Sequence, residues 1–126
     1  NMLYFHSVAR RAVVQRLVKG QDPMSEMYGI IKPEYDTKGY INLDFLNKVE
    51  KYDKIVIAGE ARDYCMLESV KQILDHFGPN SDTVKKIYIL EDCASSIGDK
   101  ADADKAYNDL ATKFHVNLVQ STNFTL

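Results

Sequence analysis

The sequence predicts an α/β domain in which a mostly parallel sheet lies between two layers of helices. Short apolar runs rich in β-branched residues, typical of buried strands, alternate along the chain with segments whose apolar residues recur every three or four positions. Alternation of this kind favours parallel strands joined by helices. At 126 residues the chain has the size of one domain, so residues 1–126 are interpreted as a single unit.

The first half of the chain shows the weaker periodicity. Residues 1–12 have a loose helical pattern, and the apolar residues within 13–18 predict a strand that ends at Lys19. Residues 20–42 contain two prolines and three glycines and have little periodicity. A loop of this length within a domain is usually functional. A short helix is then predicted over 43–51.

The second half of the chain alternates more regularly. The run 54–58 predicts a buried strand, and Asp63 is a good N-cap for an amphipathic helix that reaches Phe77. A glycine and a proline follow Phe77 and favour the end of that helix. Three further elements are predicted: a strand over 87–90, a helix over 101–114 and a strand over 116–119.

Charge and composition exclude some classes of partner. The chain has 16 basic and 18 acidic residues, whereas a nucleic-acid surface requires clustered basic side chains. No apolar run approaches the roughly 20 residues of a membrane helix, and the first residues do not resemble a signal peptide. Two cysteines make no disulfide framework. We therefore expect a cytoplasmic protein with neither a nucleic-acid nor a membrane partner.

Cys65 is the first candidate for chemistry. It falls in the first turn of a predicted helix, directly after a predicted strand. Ligands bind at this edge of parallel sheets, and a helix N-terminus favours a thiolate. A free cysteine is nevertheless more often a small buried hydrophobe, and a nucleophile requires a base or cation nearby. Lys19, at the end of another predicted strand, could supply the cation, although on chemistry alone a solvated lysine is the simpler interpretation.

Several segments at predicted strand ends carry motifs. Residues 59–66 read GEARDYCM, which is similar to the G-V-A-x-D-x-C-V segment of the isochorismatase-like cysteine hydrolases, most closely of the nicotinamidase branch. Residues 18–20 and 23–29 resemble its strand-end K-G and the serine- and tyrosine-containing loop that follows. Residues 92–96 (DCASS) are similar to the family's D-A-C/A-x-S turn, and 120–122 resemble the segment after its last strand.

The resemblance implies a hydrolase of small amides, such as one that converts nicotinamide to nicotinate and ammonia. Cys65 aligns with the nucleophile, and Lys19 aligns with the lysine that helps hold the thiolate and the polarised carbonyl. The amides of Ala61 and Cys65 align with the oxyanion hole, and the family predicts a cis peptide bond between Glu60 and Ala61. The candidate pocket residues are Tyr28, Glu60 and Tyr64, with Ile30 or Ile31 on the loop.

Other parts of the family's site have no counterpart in this sequence. In the family the base aspartate ends the first strand, and metal ligands follow it. His6, His76 and His115 are far apart and have no metal-ligand spacing, and Glu60 replaces the family's usual valine. We expect no cofactor in this chain and a divalent metal only in an intact protein with further residues. Because the chain begins at Asn1, we expect an N-terminally truncated domain, its C-terminal two-thirds.

Two functions stay open on the sequence. The first is an amidase-type hydrolase in the intact protein, of which this chain alone is expected to be inactive. The second is a non-catalytic fragment, or a binding or scaffold relative of the same fold. A missing strand would expose apolar sheet, so we expect a homo-oligomer or association with the absent N-terminal segment. Cys93 is either a packing residue or a redox partner of Cys65.

Overall fold

The computed structural model describes residues 2–36 and 38–125. None of the helices described there has both the length and the apolar composition needed to cross a membrane. The four α-helices are α1 (Met2–Ala9), α2 (Leu43–Val49), α3 (Leu67–Phe77) and α4 (Lys100–Phe114). The three strands are β1 (Ile55–Glu60), β2 (Ile87–Ser95) and β3 (Asn117–Val119). A π-helical turn (Arg62–Met66) joins β1 to α3, and short 3-10 turns occupy Val84–Lys86 and Ser121–Asn123.

The strands form one parallel sheet in the order β1-β2-β3. Ile55 pairs with Ile87 at the start of β1 and β2, and Tyr88 pairs with Asn117 between β2 and β3. A helix connects each consecutive pair of strands, as parallel pairing requires. The α/β class and the parallel sheet predicted from the sequence are therefore confirmed.

The register of β1 and β2 shifts sharply near their carboxyl ends. Ile57 lies opposite Ile89, whereas Gly59 lies opposite Ala94, so four residues of β2 stand where β1 has one. The strand predicted over 87–90 consequently continues to Ser95. A bulge of this kind bends a strand and redirects its side chains. It places the polar residues 91–93 at the carboxyl edge of the sheet.

One face of the sheet builds the hydrophobic core. Ile87 and Ile89 of β2 are fully buried, and Tyr107 of α4 lies in the same cluster. The helical spacing predicted for α3 is confirmed, because its apolar stripe packs on this face. Each apolar side chain of this size contributes about 1.5–3 kcal/mol when fully buried. The buried members of the stripe are Met66, Leu67, Val70, Ile73 and Leu74.

The opposite face of the sheet carries the alternate residues, among them Val56 and Tyr88. Val56 is 39% exposed. Phe124, near the end of the described chain, packs against Tyr88 with ring centroids 5.0 Å apart. Part of this face is therefore covered by the segment after β3.

The strand predicted over 13–18 is wrong. Residues 12–22 have no regular structure, and Val13 is 83% exposed. Gln15 and Arg16 interrupt the apolar run, which leaves no face with a two-residue period that a sheet could bury. Lys19 consequently does not end a strand.

The capping role predicted for Asp63 is also wrong. The turn after β1 is π-helical, with Ala61 at its N-cap position. The Asp63 carboxylate instead accepts hydrogen bonds from the backbone N–H groups of Ile97 (3.0 Å) and Gly98 (2.6 Å). Asp63 therefore binds the segment after β2 rather than the start of its own helix.

Candidate functional site

Cys65 lies in the π-helical turn directly after β1, at the carboxyl edge of the sheet. Its thiol is free and the residue is half-buried. Its carbonyl accepts a hydrogen bond from Ser69 Oγ at 2.7 Å, which ties the turn to α3. The Glu60–Ala61 peptide bond is cis, as the family resemblance predicts. Cys65 thus lies directly after a strand and before a helix, as its sequence context indicates, and its role as a nucleophile stays a prediction.

The two residues of the predicted oxyanion hole, Ala61 and Cys65, share this turn. The carbonyl of Ala61 accepts hydrogen bonds from the backbone N–H groups of Tyr64 (3.2 Å) and Met66 (3.0 Å). The second of these bonds spans five residues, which is what widens the turn into a π-helix. π-helical turns frequently occur at functional sites. Stabilisation of an oxyanion by the Ala61 and Cys65 amides stays a prediction.

Lys19 lies in the irregular segment before the loop, where its ammonium donates a hydrogen bond to the carbonyl of Tyr28. It lines a cavity of about 320 Å³ together with Ile30 and Pro33. Cys65 is not among the residues that line this cavity. The structure thus brings Lys19 together with Tyr28, a predicted pocket residue, but does not bring Lys19 and Cys65 into one cavity.

The predicted pocket residues have different surroundings. Tyr28 and Tyr64 are 50% and 55% exposed. Glu60 is exposed at the end of β1. Of the two loop isoleucines, Ile30 lines the cavity that contains Lys19, whereas Ile31 is buried in the main core.

Gln72 is a buried polar residue that the sequence analysis missed. It lies on α3 and is only 5% exposed. Its carboxamide oxygen accepts hydrogen bonds from the N–H groups of Ile31 (3.0 Å) and Lys32 (3.2 Å), and its nitrogen donates to the Lys32 carbonyl (2.9 Å). Three backbone hydrogen bonds from one side chain fix the loop on the helix that follows Cys65.

Arg62 is a second residue that the sequence analysis missed. It is 3% exposed, and its guanidinium pairs with Asp104 (2.5 Å) and Glu91 (3.4 Å). It occupies a variable position of the family motif, and its partners follow 29 and 42 residues later. The motif therefore gave no signal for this cluster.

The Arg62 cluster borders a cavity of about 600 Å³ at the carboxyl edge of the sheet. The side-chain hydrogen bonds from Lys100 and then from Arg62 lower the pKa of the Asp104 carboxyl. Burial raises the pKa of Tyr107, whose ring lies beneath the guanidinium. The ion pairs of Arg62 join β2 to α4, and Arg62, Glu91 and Asp104 do not line the cavity that contains Lys19.

Asp92 and Asp63 are both bound by groups that favour their ionised forms. Asp92 accepts hydrogen bonds from the hydroxyl (2.5 Å) and the N–H (2.8 Å) of Ser121, which lower its pKa. The N–H groups of Ile97 and Gly98 lower the pKa of Asp63. Each carboxylate thus joins two segments at this edge, and neither is poised near neutral pH as a proton acceptor.

The residues present do not form the metal site that the family implies. Across residues 2–36 and 38–125, no group of three His, Cys, Asp or Glu side chains is arranged to hold a metal ion. His6, His76 and His115 are all exposed. The expectation of a metal in a longer protein stays a prediction.

Comparison with known proteins yields a fold relationship. The sequence matches no protein-family model and no curated protein. The structure is similar to that of the yeast nicotinamidase, with a TM-score of 0.65 and 18% sequence identity. The similarity covers 94% of this chain and 50% of the yeast enzyme, so this chain spans half the length of that protein. The shared fold agrees with the fold that the family resemblance implies.

Proposed function

We propose that this chain carries the nucleophile of a nicotinamidase-like cysteine hydrolase that cleaves a small amide. The observation that supports the proposal best is the similarity of 94% of the chain to the yeast nicotinamidase fold. Cys65, in the turn after β1, has its thiol at the edge of the sheet where parallel folds bind ligands. Because the similarity covers half of the yeast enzyme, we propose the activity for the whole protein and not for residues 1–126 alone.

The proposed reaction proceeds through a thioester. The Cys65 thiolate attacks the amide carbonyl carbon, and the electron pair of the C=O bond moves to oxygen. Amide N–H groups of Ala61 and Cys65 donate hydrogen bonds to that oxyanion. The C–N bond then breaks, the nitrogen takes a proton and ammonia leaves. Water attacks the thioester, the C–S bond breaks, and the carboxylic acid and free thiol form.

Lys19 is the cation that favours the thiolate in this proposal. An ammonium group has three N–H donors, so Lys19 can donate further hydrogen bonds besides the one to the Tyr28 carbonyl. The proton that the leaving nitrogen takes, and the proton that water loses, require an acid–base residue. The family's aspartate for this step has no counterpart in residues 1–126.

A non-catalytic relative of the same fold is the second candidate. Two observations favour it: no metal-binding cluster forms among the residues described, and Cys65 does not line the cavity that contains Lys19. Such a protein would retain the fold and bind a ligand or partner without turnover.

The two candidates are separated by measuring ammonia release from nicotinamide and from a panel of small aliphatic amides. We expect the full-length protein to release ammonia, Cys65→Ser to abolish release, and Cys93→Ser to retain it. We expect little or no release from the 126-residue chain alone. A folded full-length protein that releases no ammonia from any of these amides would support the non-catalytic candidate.

A further inference from the structure

Gln72 makes an unusual set of contacts for a helix residue. Its carboxamide is buried against the loop, and each hydrogen bond that it makes in the described structure goes to residues 31–34. An unpaired carboxamide in such a position would be unfavourable, so the loop and α3 hold each other in one arrangement. α3 begins two residues after Cys65, which makes Gln72 the link between the thiol's helix and the loop.

Glu34 extends this link toward Tyr28. Gln72 Nε2 donates to Glu34 Oε1 at 3.3 Å. The same carboxylate accepts hydrogen bonds from the N–H groups of Tyr28 (2.6 Å) and Gly29 (3.1 Å). A Cβ at position 29 would overlap the Gln72 carboxamide, which three backbone hydrogen bonds hold in place, so the close approach favours glycine there.

Lys19 is the last residue in this series of hydrogen bonds. Tyr28 is bound through both of its backbone groups, since its N–H donates to Glu34 and its carbonyl accepts from Lys19. A continuous series of hydrogen bonds therefore runs from α3 through Gln72, Glu34 and Tyr28 to Lys19. Lys19 lines the cavity of about 320 Å³, whereas Gln72 lines a separate cavity of about 200 Å³ with Ile31 and Lys32, so the series joins the two.

We infer that Gln72, acting through Glu34, is a positioning residue that fixes Lys19 and Tyr28 relative to the helix of Cys65. The inference rests on the proposed function, because the place of Lys19 matters for chemistry only if its charge favours the Cys65 thiolate. Gln72 itself touches no reacting atom in this scheme.

The experiment measures the pH dependence of iodoacetamide alkylation at Cys65 in the full-length protein carrying Cys93→Ser. Lys19→Met should raise the midpoint of that profile, because in the proposed function the Lys19 ammonium favours the thiolate. Gln72→Leu should raise the midpoint in the same direction. The double variant should show no larger shift than Lys19→Met alone, since both substitutions act on one interaction.

Ile73→Val is the matched control on α3. Ile73 is buried next to Gln72 in sequence but belongs to the main core rather than to the loop contacts. It should lower the Tm without moving the alkylation midpoint. If Gln72→Leu lowers the Tm and also leaves the midpoint unchanged, Gln72 is merely structural and the inference is wrong.

The Lys19→Met result separates this failure from a failure of the proposed function. If Lys19→Met shifts the midpoint and Gln72→Leu does not, only the positioning inference is overturned. If Lys19→Met itself leaves the midpoint unchanged, the role of Lys19 in the proposed function fails, and the inference fails with it. The inference is supported if both single variants raise the alkylation midpoint and the double variant raises it no further than Lys19→Met alone.

Discussion

Arg62 and Tyr107 bind each other in two ways. The guanidinium carbon of Arg62 lies 4.8 Å from the centre of the Tyr107 ring, and the Tyr107 hydroxyl donates a 2.8 Å hydrogen bond to the Arg62 carbonyl. Both residues are buried. The first residue of the turn that contains Cys65 is thereby attached to Tyr107 of α4, 45 residues further along the chain.

Removing the Tyr107 hydroxyl should destabilise the protein. Tyr107→Phe keeps the ring beneath Arg62 but leaves the buried Arg62 carbonyl without its donor, at a cost of about 1–2 kcal/mol. Urea unfolding monitored by circular dichroism measures the change in the free energy of unfolding. Tyr52→Phe, at an exposed site, is the control and should change it by less than about 0.5 kcal/mol. Equal effects of the two substitutions would contradict this prediction.

Asp104 and Asp109, two aspartates of α4 that form ion pairs, should differ in their contribution to stability. Asp104 binds the buried Arg62 as well as Lys100, whereas Asp109 forms an exposed pair with Lys105. Asp104→Asn should therefore lower the urea midpoint clearly more than Asp109→Asn, because it leaves a buried guanidinium short of a partner. Exposed helix pairs contribute little. Similar midpoints for the two variants would show that Arg62 does not depend on Asp104.

Part of this molecule could be predicted from the sequence because its determinants are local. The apolar spacing of α3 and the strand before it needed only neighbouring residues, and the position of Cys65 followed from them. Arg62 and Gln72 could not be predicted, because their partners lie 29–45 and 38–41 residues away in sequence. The strand predicted over 13–18 failed for a related reason: a strand is stable only when a neighbouring strand pairs with it.

The stability of the protein should fall in acid partly because of Asp63. Hydrogen bonds from Ile97 and Gly98 lower the folded-state pKa of Asp63, so its contribution is present above the unfolded value of about 3.9. That contribution is lost as the pH falls through the lower folded-state pKa. Asp63→Asn should therefore be less stable than the parent near neutral pH, and the difference should shrink below about pH 4.

Urea midpoints measured at a series of pH values test the role of Asp63. Asp53→Asn is the control, because Asp53 is exposed and no hydrogen bond to its carboxylate is found in the part of the chain that the structure describes. The urea midpoint of Asp53→Asn should differ little from that of the parent at every pH in the series. A gap between Asp63→Asn and the parent that stays constant from neutral pH to about pH 2 would contradict the assignment.

Gly29 and Gln72 should be energetically coupled. A methyl group at position 29 would overlap the Gln72 carboxamide, which its hydrogen bonds hold in place, so Gly29→Ala should destabilise the protein by about 1–3 kcal/mol. In a Gln72→Ala background the space is free, and the same substitution should cost much less. A double-mutant cycle of unfolding free energies should thus give a coupling of about 1 kcal/mol or more. Simple additivity would mean that the two residues do not touch in solution.

The order in which the two cysteines react distinguishes a nucleophile from a packing residue. Cys93 is exposed and Cys65 is half-buried, so access alone predicts that iodoacetamide labels Cys93 first. If Cys65 is held as a thiolate, as the proposed function requires, it should react well before Cys93 near neutral pH, because the thiolate is the reactive form. Peptide mapping by mass spectrometry after timed quenching measures both rates in one sample.

Unfolding supplies the control for this comparison. In about 6 M guanidinium chloride most proteins are unfolded and both thiols are exposed, so the two labelling rates should become nearly equal. A ratio that favours Cys65 only in the folded protein would therefore come from its surroundings in the turn after β1. If Cys93 reacts first in the folded protein, Cys65 is a half-buried packing residue, and the non-catalytic candidate becomes the better description of this chain.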